Sequence, residues 1–286
     1  MKNTMAIFLL LFLSGLNTSW AQSGKMDRIF QPEDKHIAED KLNLFSLKSS
    51  LPISELITQI GLSFLGTPYV AATLENGLEE KLVINLRELD CTTFVENCLA
   101  LARTVKLEKT DFESFSAELE KIRYRDGIRN QYPSRLHYFS EWIHNNQKKG
   151  FVSEWENQNG KKEVRTINFM STHPESYPVL KGHPEVIPIL AEQEKGLTQM
   201  GFQYFSKDDL PNLYKHLQPG DIVGLTSSVE GLDVNHTGII IRKNNEFYLM
   251  HASQSGAKVM VSEGPIGDFL KPQSKNTGII IARPVF

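Results

Sequence analysis

Between residues 52 and 146 the apolar side chains of this chain recur at helical spacing, and from Gln218 onward they crowd into short runs rich in β-branched residues. Helices first and strands second predict an α+β fold, a helical half packed on a small antiparallel sheet. Residues 52–65 place Ile53, Leu56, Ile57, Ile60 and Phe64 on one face, and Gly66-Thr67-Pro68-Tyr69 ends that helix. Asp90 is a good N-cap for a helix whose stripe is Phe94, Val95, Cys98, Leu99, Ala102 and Val105. Two more helices are predicted over 111–123 and 134–146. Strands are predicted over 222–226, 237–242, 246–252, 258–262 and 277–284, with Asn244-Asn245 as a hairpin tip.

Residues 1–21 read as a secretory signal. Lys2 carries the single charge, an apolar run follows over 5–16, and Ser19-Trp20-Ala21 puts small residues where a signal peptidase reads. The run is too short to span a bilayer, and no later segment is long and uniform enough. The expectation is a periplasmic protein, carried across the inner membrane and without a membrane span once the signal is removed. Residues 22–50 are polar and weakly periodic, so an extended leader is expected there, ahead of a single catalytic domain over 51–286. Within that domain, 150–205 is richer in Pro, Gly and polar residues. Pro174, Pro178, Pro184 and Pro188 argue against a continuous helix or central strand. An insertion with some strand and a short helix near 187–195 is expected. The chain has 31 basic and 34 acidic residues, net −3. That balance offers no electrostatic footprint for nucleic acid or an anionic membrane.

Two cysteines in an exported protein usually suggest a disulfide. Cys91 and Cys98 are seven residues apart on a predicted helix, a rise of about 10.5 Å. Linked Cα atoms seldom lie more than about 7 Å apart. The pair is therefore expected to stay free. Cys98 falls in the apolar stripe and reads as core. Cys91, beside the cap, occupies the first helical turn, where unpaired amides and the dipole lower a thiol pKa. A thiolate is the nucleophilic form.

A thiol nucleophile needs a base. With Asn244-Asn245 as a two-residue loop, Lys243 pairs with Glu246, so His236 faces Ser253 and Gly238 faces His251. The two histidines then share one face of the hairpin as diagonal neighbours, roughly 7–8 Å apart at Cα. One imidazole could orient the other while that one takes the proton from Cys91. A one-residue slip would separate them. The remaining histidines, His36, His137, His144, His173, His183 and His216, read as structural groups. Cys91, His236 and His251 are also zinc-ligand types, but no CxxC or HExxH pairing appears. No metal and no organic cofactor is expected.

In this order, Gly66-Thr67-Pro68-Tyr69, Asp90-Cys91, Asn235-His236-Thr237-Gly238 and Met250-His251-Ala252 resemble the NlpC-type superfamily, papain-like peptidases that cut amide bonds in peptidoglycan. The resemblance runs from about 51 to 286, apart from the middle insertion. It implies Cys91 as nucleophile, His236 as base, His251 as the orienting third residue, and Tyr69 lining the site. Many members that cut after γ-D-glutamate carry Asp-Cys-Ser, whose acid and serine help hold a free amino terminus. Here Asp90 and Cys91 are followed by Thr92. The string Thr92-Thr93-Phe94-Val95-Glu96, with Tyr132-Pro133-Ser134-Arg135 and Phe139-Ser140-Glu141-Trp142, is similar to the N-acetylmuramoyl-L-alanine amidase-like branch. That implies a muropeptide substrate cut between muramic (or anhydro-muramic) acid and L-alanine, with Asp90, Thr92 and Glu96 among the residues that hold it. Stem-peptide carboxylates call for a cationic partner, and Arg125 and Arg135 are the candidates. Three rivals stay open: a γ-D-glutamyl stem-peptide endopeptidase of the same superfamily, a non-catalytic cell-wall binding module, and a zinc hydrolase.

Overall fold

The computed structural model describes residues 27–154 and 161–286. The secretory signal expected over 1–21 lies outside the described residues. Helices lead: α1 (Pro32–Phe45), α2 (Ile53–Leu62), α3 (Cys91–Lys106), α4 (Phe112–Arg123) and α5 (Phe139–Lys148). Two short strands, β1 (Arg28–Ile29) and β2 (Leu82–Val83), pair in parallel among them. The middle of the chain holds β3 (Val152–Glu154), β4 (Lys161–Glu163), α6 (Phe169–Thr172), α7 (Pro178–Gly182), α8 (Ile187–Met200) and β5 (Phe202–Ser206). After α9 (Leu210–Leu213) come β6 (Ile222–Ser227), β7 (Val234–Lys243), β8 (Glu246–Ser253), β9 (Lys258–Val261), α10 (Ile266–Leu270) and β10 (Asn276–Pro284).

The main sheet runs β4-β5-β10-β6-β7-β8-β9, with β3 on the far end of β10, and its pairs are antiparallel. It is covered on both faces. Ile222, Ile239, Ile241, Met250, Ile280 and Ala282 join the core that the first helices share. Their sequence neighbours Val223, Ile240, Leu249, Ile279 and Ile281 point the other way, onto Leu210, Leu213, Leu217, Ile266 and Leu270. Burial on both sides explains why these strands read as apolar runs and not as alternating ones. At the hairpin tip Asn244 and Asn245 both take positive φ, 51° and 63°, as a type I′ turn requires, and Lys243 pairs with Glu246 as expected. Near the same end of β7, where the Gly220 amide donates to the Ile240 carbonyl at 2.8 Å, the turn before β6 needs its glycine: the φ is 90°, and a Cβ there would sit 2.2 Å from the Ser54 carbonyl oxygen.

The fold corrects three expectations. Residues 22–50 are not an extended leader over their described part, because 32–45 form α1. Pro32 stands in its first turn, and Asp34 accepts from the Gln31 amide at 2.8 Å. The other Asp34 oxygen takes the Leu86 amide at 2.8 Å and Arg87 Nε at 3.1 Å. Ala38, Leu42 and Phe45 then face the core. The helix predicted over 134–146 starts later, at Phe139, because the preceding stretch is extended: Arg135 bridges Tyr124, and the Leu136 amide donates to the Arg123 carbonyl. The middle prolines do interrupt long helices, yet Pro178 and Pro188 also sit in first turns, where a missing N–H costs nothing. The short helix expected there extends to Met200. Among the described residues no helix is long and apolar enough to cross a membrane.

Candidate active site

The site begins at the N-terminus of α3. Asp90 Oδ1 accepts from the Thr93 amide at 2.7 Å and from its hydroxyl at 2.8 Å, while Thr93 Oγ1 accepts from the Asp90 amide at 2.9 Å. This reciprocal cap fixes Cys91 as the first helical residue. From Thr93 to Val105 every α3 side chain is buried, so the helix has no freedom to shift. Cys91 is free and partly buried; Cys98 is free and fully buried.

The sheet supplies the facing wall. Thr237 Oγ1 donates to the Cys91 carbonyl at 2.9 Å, fastening β7 to the helix start. Cys91, Thr92, His236, Thr237, His137 and Trp142 line one cleft of about 110 Å³. His236 Nε2 lies 2.6 Å from His251 Nδ1, with ring centroids 4.8 Å apart and planes at 86°. The diagonal pairing expected from the hairpin register is therefore present. On the third side, 66–69 is clamped to β9 by Gly66 N–Val259 O and Val259 N–Thr67 O bonds of 2.9 and 2.8 Å. Tyr69 bridges Leu89, just ahead of Asp90.

The electrostatics correct one expectation. Burial pushes the Cys91 thiol up, the Asp90 charge adds to it, and hydrogen bonds from Thr237 and Thr92 only partly oppose them. The helix start does not by itself make a thiolate, since desolvation of a buried sulfur outweighs it. Burial, with the neighbouring His251, lowers His236 to about 3, and burial lowers His251 to about 4. Burial, with the Cys91 and Asp90 charges, pushes the Tyr69 phenol up to about 12. At neutral pH the cleft presents a thiol and the neutral imidazole of His236, backed by the neutral imidazole of His251.

A second cavity, about 210 Å³, adjoins the cleft and shares Thr92, Leu136, His137 and Val234 with it. Asp90, Thr92, Glu96 and Arg135 all line it. Glu96 is spent on Arg123, 2.7 Å away and equally buried. Arg135 donates to Glu75 at 2.6 Å and lies 3.3 Å from Glu80, so two carboxylates already hold its charge. Arg125 lines neither cavity. It pairs with Glu141 and the Pro133 carbonyl, beside a separate surface pocket.

Several lining residues went unnoticed in the sequence. His137 lines both cavities, with Nε2 2.9 Å from the Tyr132 carbonyl, and burial holds it well below the usual imidazole range. Its place within the string running from Tyr132 to Trp142 was the available signal. Met170 and Tyr177 come from the middle segment, and Glu194 holds the first: its Oε1 accepts from the Tyr138 hydroxyl at 2.6 Å and from the Met170 and Ser171 amides at 3.0 and 3.1 Å. No local pattern connects these residues to Cys91. Among the described residues no group of three or more His, Cys, Asp or Glu is placed to hold a metal ion.

A helical layer on an antiparallel sheet, with a thiol and an imidazole lining one cleft and a second imidazole behind the first, defines the class: an α+β protein with a thiol–imidazole site. The family follows from comparison. A family model described as AmiA-like, N-acetylmuramoyl-L-alanine amidase-like, matches residues 59–279, and the chain belongs to that family. An N-acetylmuramoyl-L-alanine amidase from Bacteroides uniformis ATCC 8492 is 38% identical, over 82% of this chain and 99% of that one, with a TM-score of 0.76. A Bacteroides fragilis protein named as a candidate xylanase is also 38% identical, over 78% and 98%, with a TM-score of 0.70. A Legionella pneumophila protein at 21% identity, over 88% and 96%, shares the fold with a TM-score of 0.68. No curated protein matches the chain.

Proposed function

We propose that this protein is a cysteine amidase, acting outside the cytoplasm, that hydrolyses the amide between N-acetylmuramic (or anhydro-muramic) acid and L-alanine in peptidoglycan fragments. Family membership supports the choice of bond. The 2.6 Å contact between His236 Nε2 and His251 Nδ1, beside the Cys91 cleft, carries the chemistry. In this reading the fold is the papain-like NlpC type, and Tyr69, Asp90, Thr92 and Arg135 shape the pocket around the substrate.

Because Cys91 rests as a thiol and His236 as a neutral imidazole, the nucleophile is made during attack. The His251 contact occupies Nε2 of His236, so Nδ1 takes the Sγ proton as sulfur adds to the lactyl carbonyl carbon. His251 accepts from Nε2–H and steadies the imidazolium. Asp90 already engages the Thr93 and Phe94 amides, which leaves those of Cys91 and Thr92 for the oxyanion. His236 then protonates the alanine nitrogen, the C–N bond breaks, and the stem peptide leaves. Water, deprotonated by His236, cleaves the thioester, releases the muramic carboxylate and restores the thiol.

Glycoside cleavage needs two free carboxyl groups flanking the bond. The Cys91 cleft is lined by none. In the adjoining cavity Glu75 is engaged with Arg135, Asp90 with the α3 cap, Glu96 with Arg123, and Asp233 with the Ser140 amide at 2.7 Å.

Mass spectrometry of products from a defined muropeptide tests the proposal. Free stem peptide and peptide-free sugar are expected, and Cys91→Ala should abolish both. A sugar still carrying Ala-Glu would assign the enzyme to stem-peptide cleavage instead. Undiminished turnover by Cys91→Ala would remove the nucleophile.

A further inference from the structure

His251 has a second nitrogen that the mechanism leaves unused. Nε2 is buried and has no hydrogen-bond partner, and the residue as a whole is 3% exposed. Behind it opens a cavity of about 490 Å³ that shares no lining residue with the Cys91 cleft. Besides His251, its walls include Ser253, Ser262, Asp268, Phe269 and Gln273. Hydroxyl, carboxylate and amide groups around a space of that size make a place water fills. Yet water stops short of Nε2. The Phe269 ring stands edge-to-face against the His251 ring, centroids 5.3 Å apart and planes at 71°.

We propose that Phe269 is a positioning residue for His251, holding the imidazole in place and keeping the rear cavity's water away from Nε2 so that Nδ1 stays an acceptor for His236. The inference rests on the proposed roles of the two histidines. For His236 to take a proton at Nδ1, its own hydrogen must sit on Nε2 and point at His251. His251 must then offer a lone pair at Nδ1 and carry its hydrogen on Nε2. A protonated His251 would carry hydrogens on both nitrogens. It would donate from Nδ1, force the hydrogen of a neutral His236 onto Nδ1, and block the base. Keeping His251 dry disfavours that cation.

Few charges oppose this. His236 faces the ring from β7, with Cys91 of α3 beyond it. Met260 lies opposite His251 on β9, and Lys258 lies opposite Ser253. Glu263 follows β9, and Asp268 on α10 is paired with Lys271 at 2.8 Å. Burial alone accounts for the depressed basicity of His251.

The experiment is a ¹⁵N NMR titration of the histidine ring nitrogens in the full chain, for wild type, Phe269→Ala and Phe269→Leu, alongside the pH profile of kcat/KM on a muropeptide. Wild-type His251 is expected to be neutral with its hydrogen on Nε2 and to titrate near 4. In Phe269→Ala the titration should move up toward 6.5, the ordinary histidine value, and the acid limb of kcat/KM should move with it. Phe269→Leu, which keeps an apolar plug, should restore most of the wild-type behaviour and guards against a folding defect in the alanine variant. A folded Phe269→Ala with an unchanged His251 titration overturns the inference, as does a wild-type His251 with its hydrogen on Nδ1. Turnover that survives Cys91→Ala while the titration still shifts would sink the nucleophile alone and leave the Phe269 contact standing.

Discussion

Thr237 and Cys91 are joined by a 2.9 Å hydrogen bond from the threonine hydroxyl to the cysteine carbonyl, which pins the residue after His236 to the first residue of α3. The proposed base and nucleophile come from distant elements, and this bond, which spans 146 residues, fixes their spacing. Thr237 also favours the ionised sulfur through its hydroxyl and amide. Thr237→Val keeps the shape and removes the hydroxyl. We expect kcat to fall ~10- to 100-fold, as misplaced reacting groups do, with KM changed far less. The rate of Cys91 alkylation should also midpoint at higher pH. Steady-state kinetics and an iodoacetamide pH series check both.

Asp90 acts on Cys91 in two opposing ways: it caps the helix and its charge disfavours the thiolate. Asp90→Asn preserves a good cap and deletes the charge, so the alkylation midpoint should fall with little loss of stability. Asp90→Ala loses the cap as well, at about 1 kcal/mol. Equal midpoints in wild type and Asp90→Asn would show that the charge has no influence.

The histidine pair also ties stability to pH. His251 binds its proton near pH 4 when folded and near 6.5 when unfolded. Between those values the unfolded chain holds more protons, so stability rises with pH across the window and drops as acid is added. Buried carboxyls such as Glu96 and Asp233 are raised by burial and act with the opposite sign, so the informative quantity is a difference. The thermal midpoint of His251→Asn should fall less between pH 6.5 and 4 than that of wild type, which parallel melting curves would measure.

Glu194 lines neither the Cys91 cleft nor the cavity of about 210 Å³ adjoining it, yet it gathers Tyr138, Met170 and Ser171 behind the latter. Glu194→Ala should therefore loosen the wall that Tyr138 and Met170 present to the proposed substrate. A KM increase of ~10-fold with kcat within ~2-fold of wild type is expected, the pattern of lost uniform binding. A loss confined to kcat would contradict it.

Leu42 is fully buried although it lies in a stretch whose sequence looks dispensable. Leu42→Ala should cost about 2–5 kcal/mol, as core truncations do, and removing 27–50 should prevent folding. Denaturant titration of the point variant and solubility of the truncation test this.

What could be read in advance, and what could not, divides along a physical line. The α3 stripe, the Asp90 cap and the β7–β8 register are short-range features, written in periodicity and in the Asn244-Asn245 turn. α1 escaped because its core-facing stripe is only Ala38, Leu42 and Phe45, set among charged residues, and because Asp34 finds its partners some fifty positions away, at Leu86 and Arg87. Thiol basicity was read with the wrong sign, since a helix terminus is visible in sequence and the depth of the sulfur is not. Arg125 and Arg135 looked alike as isolated cations. Only the fold shows that one belongs to another surface and that the other reaches the cavity already gripped by Glu75 and Glu80.

The type I′ tip at Asn244-Asn245 lies roughly 23 Å from His236, counting seven residues of strand at about 3.3 Å each. Its influence nonetheless reaches the imidazoles, because strand pairing carries parity along the ribbon. Lengthening the tip can be absorbed as slack, but sliding β8 by a single position would turn His251 to the opposite side of the sheet and leave His236 alone. Drift at this remote, solvent-facing corner is thus constrained by chemistry it never touches, and changes that survive there should shift the strands by even steps or not at all.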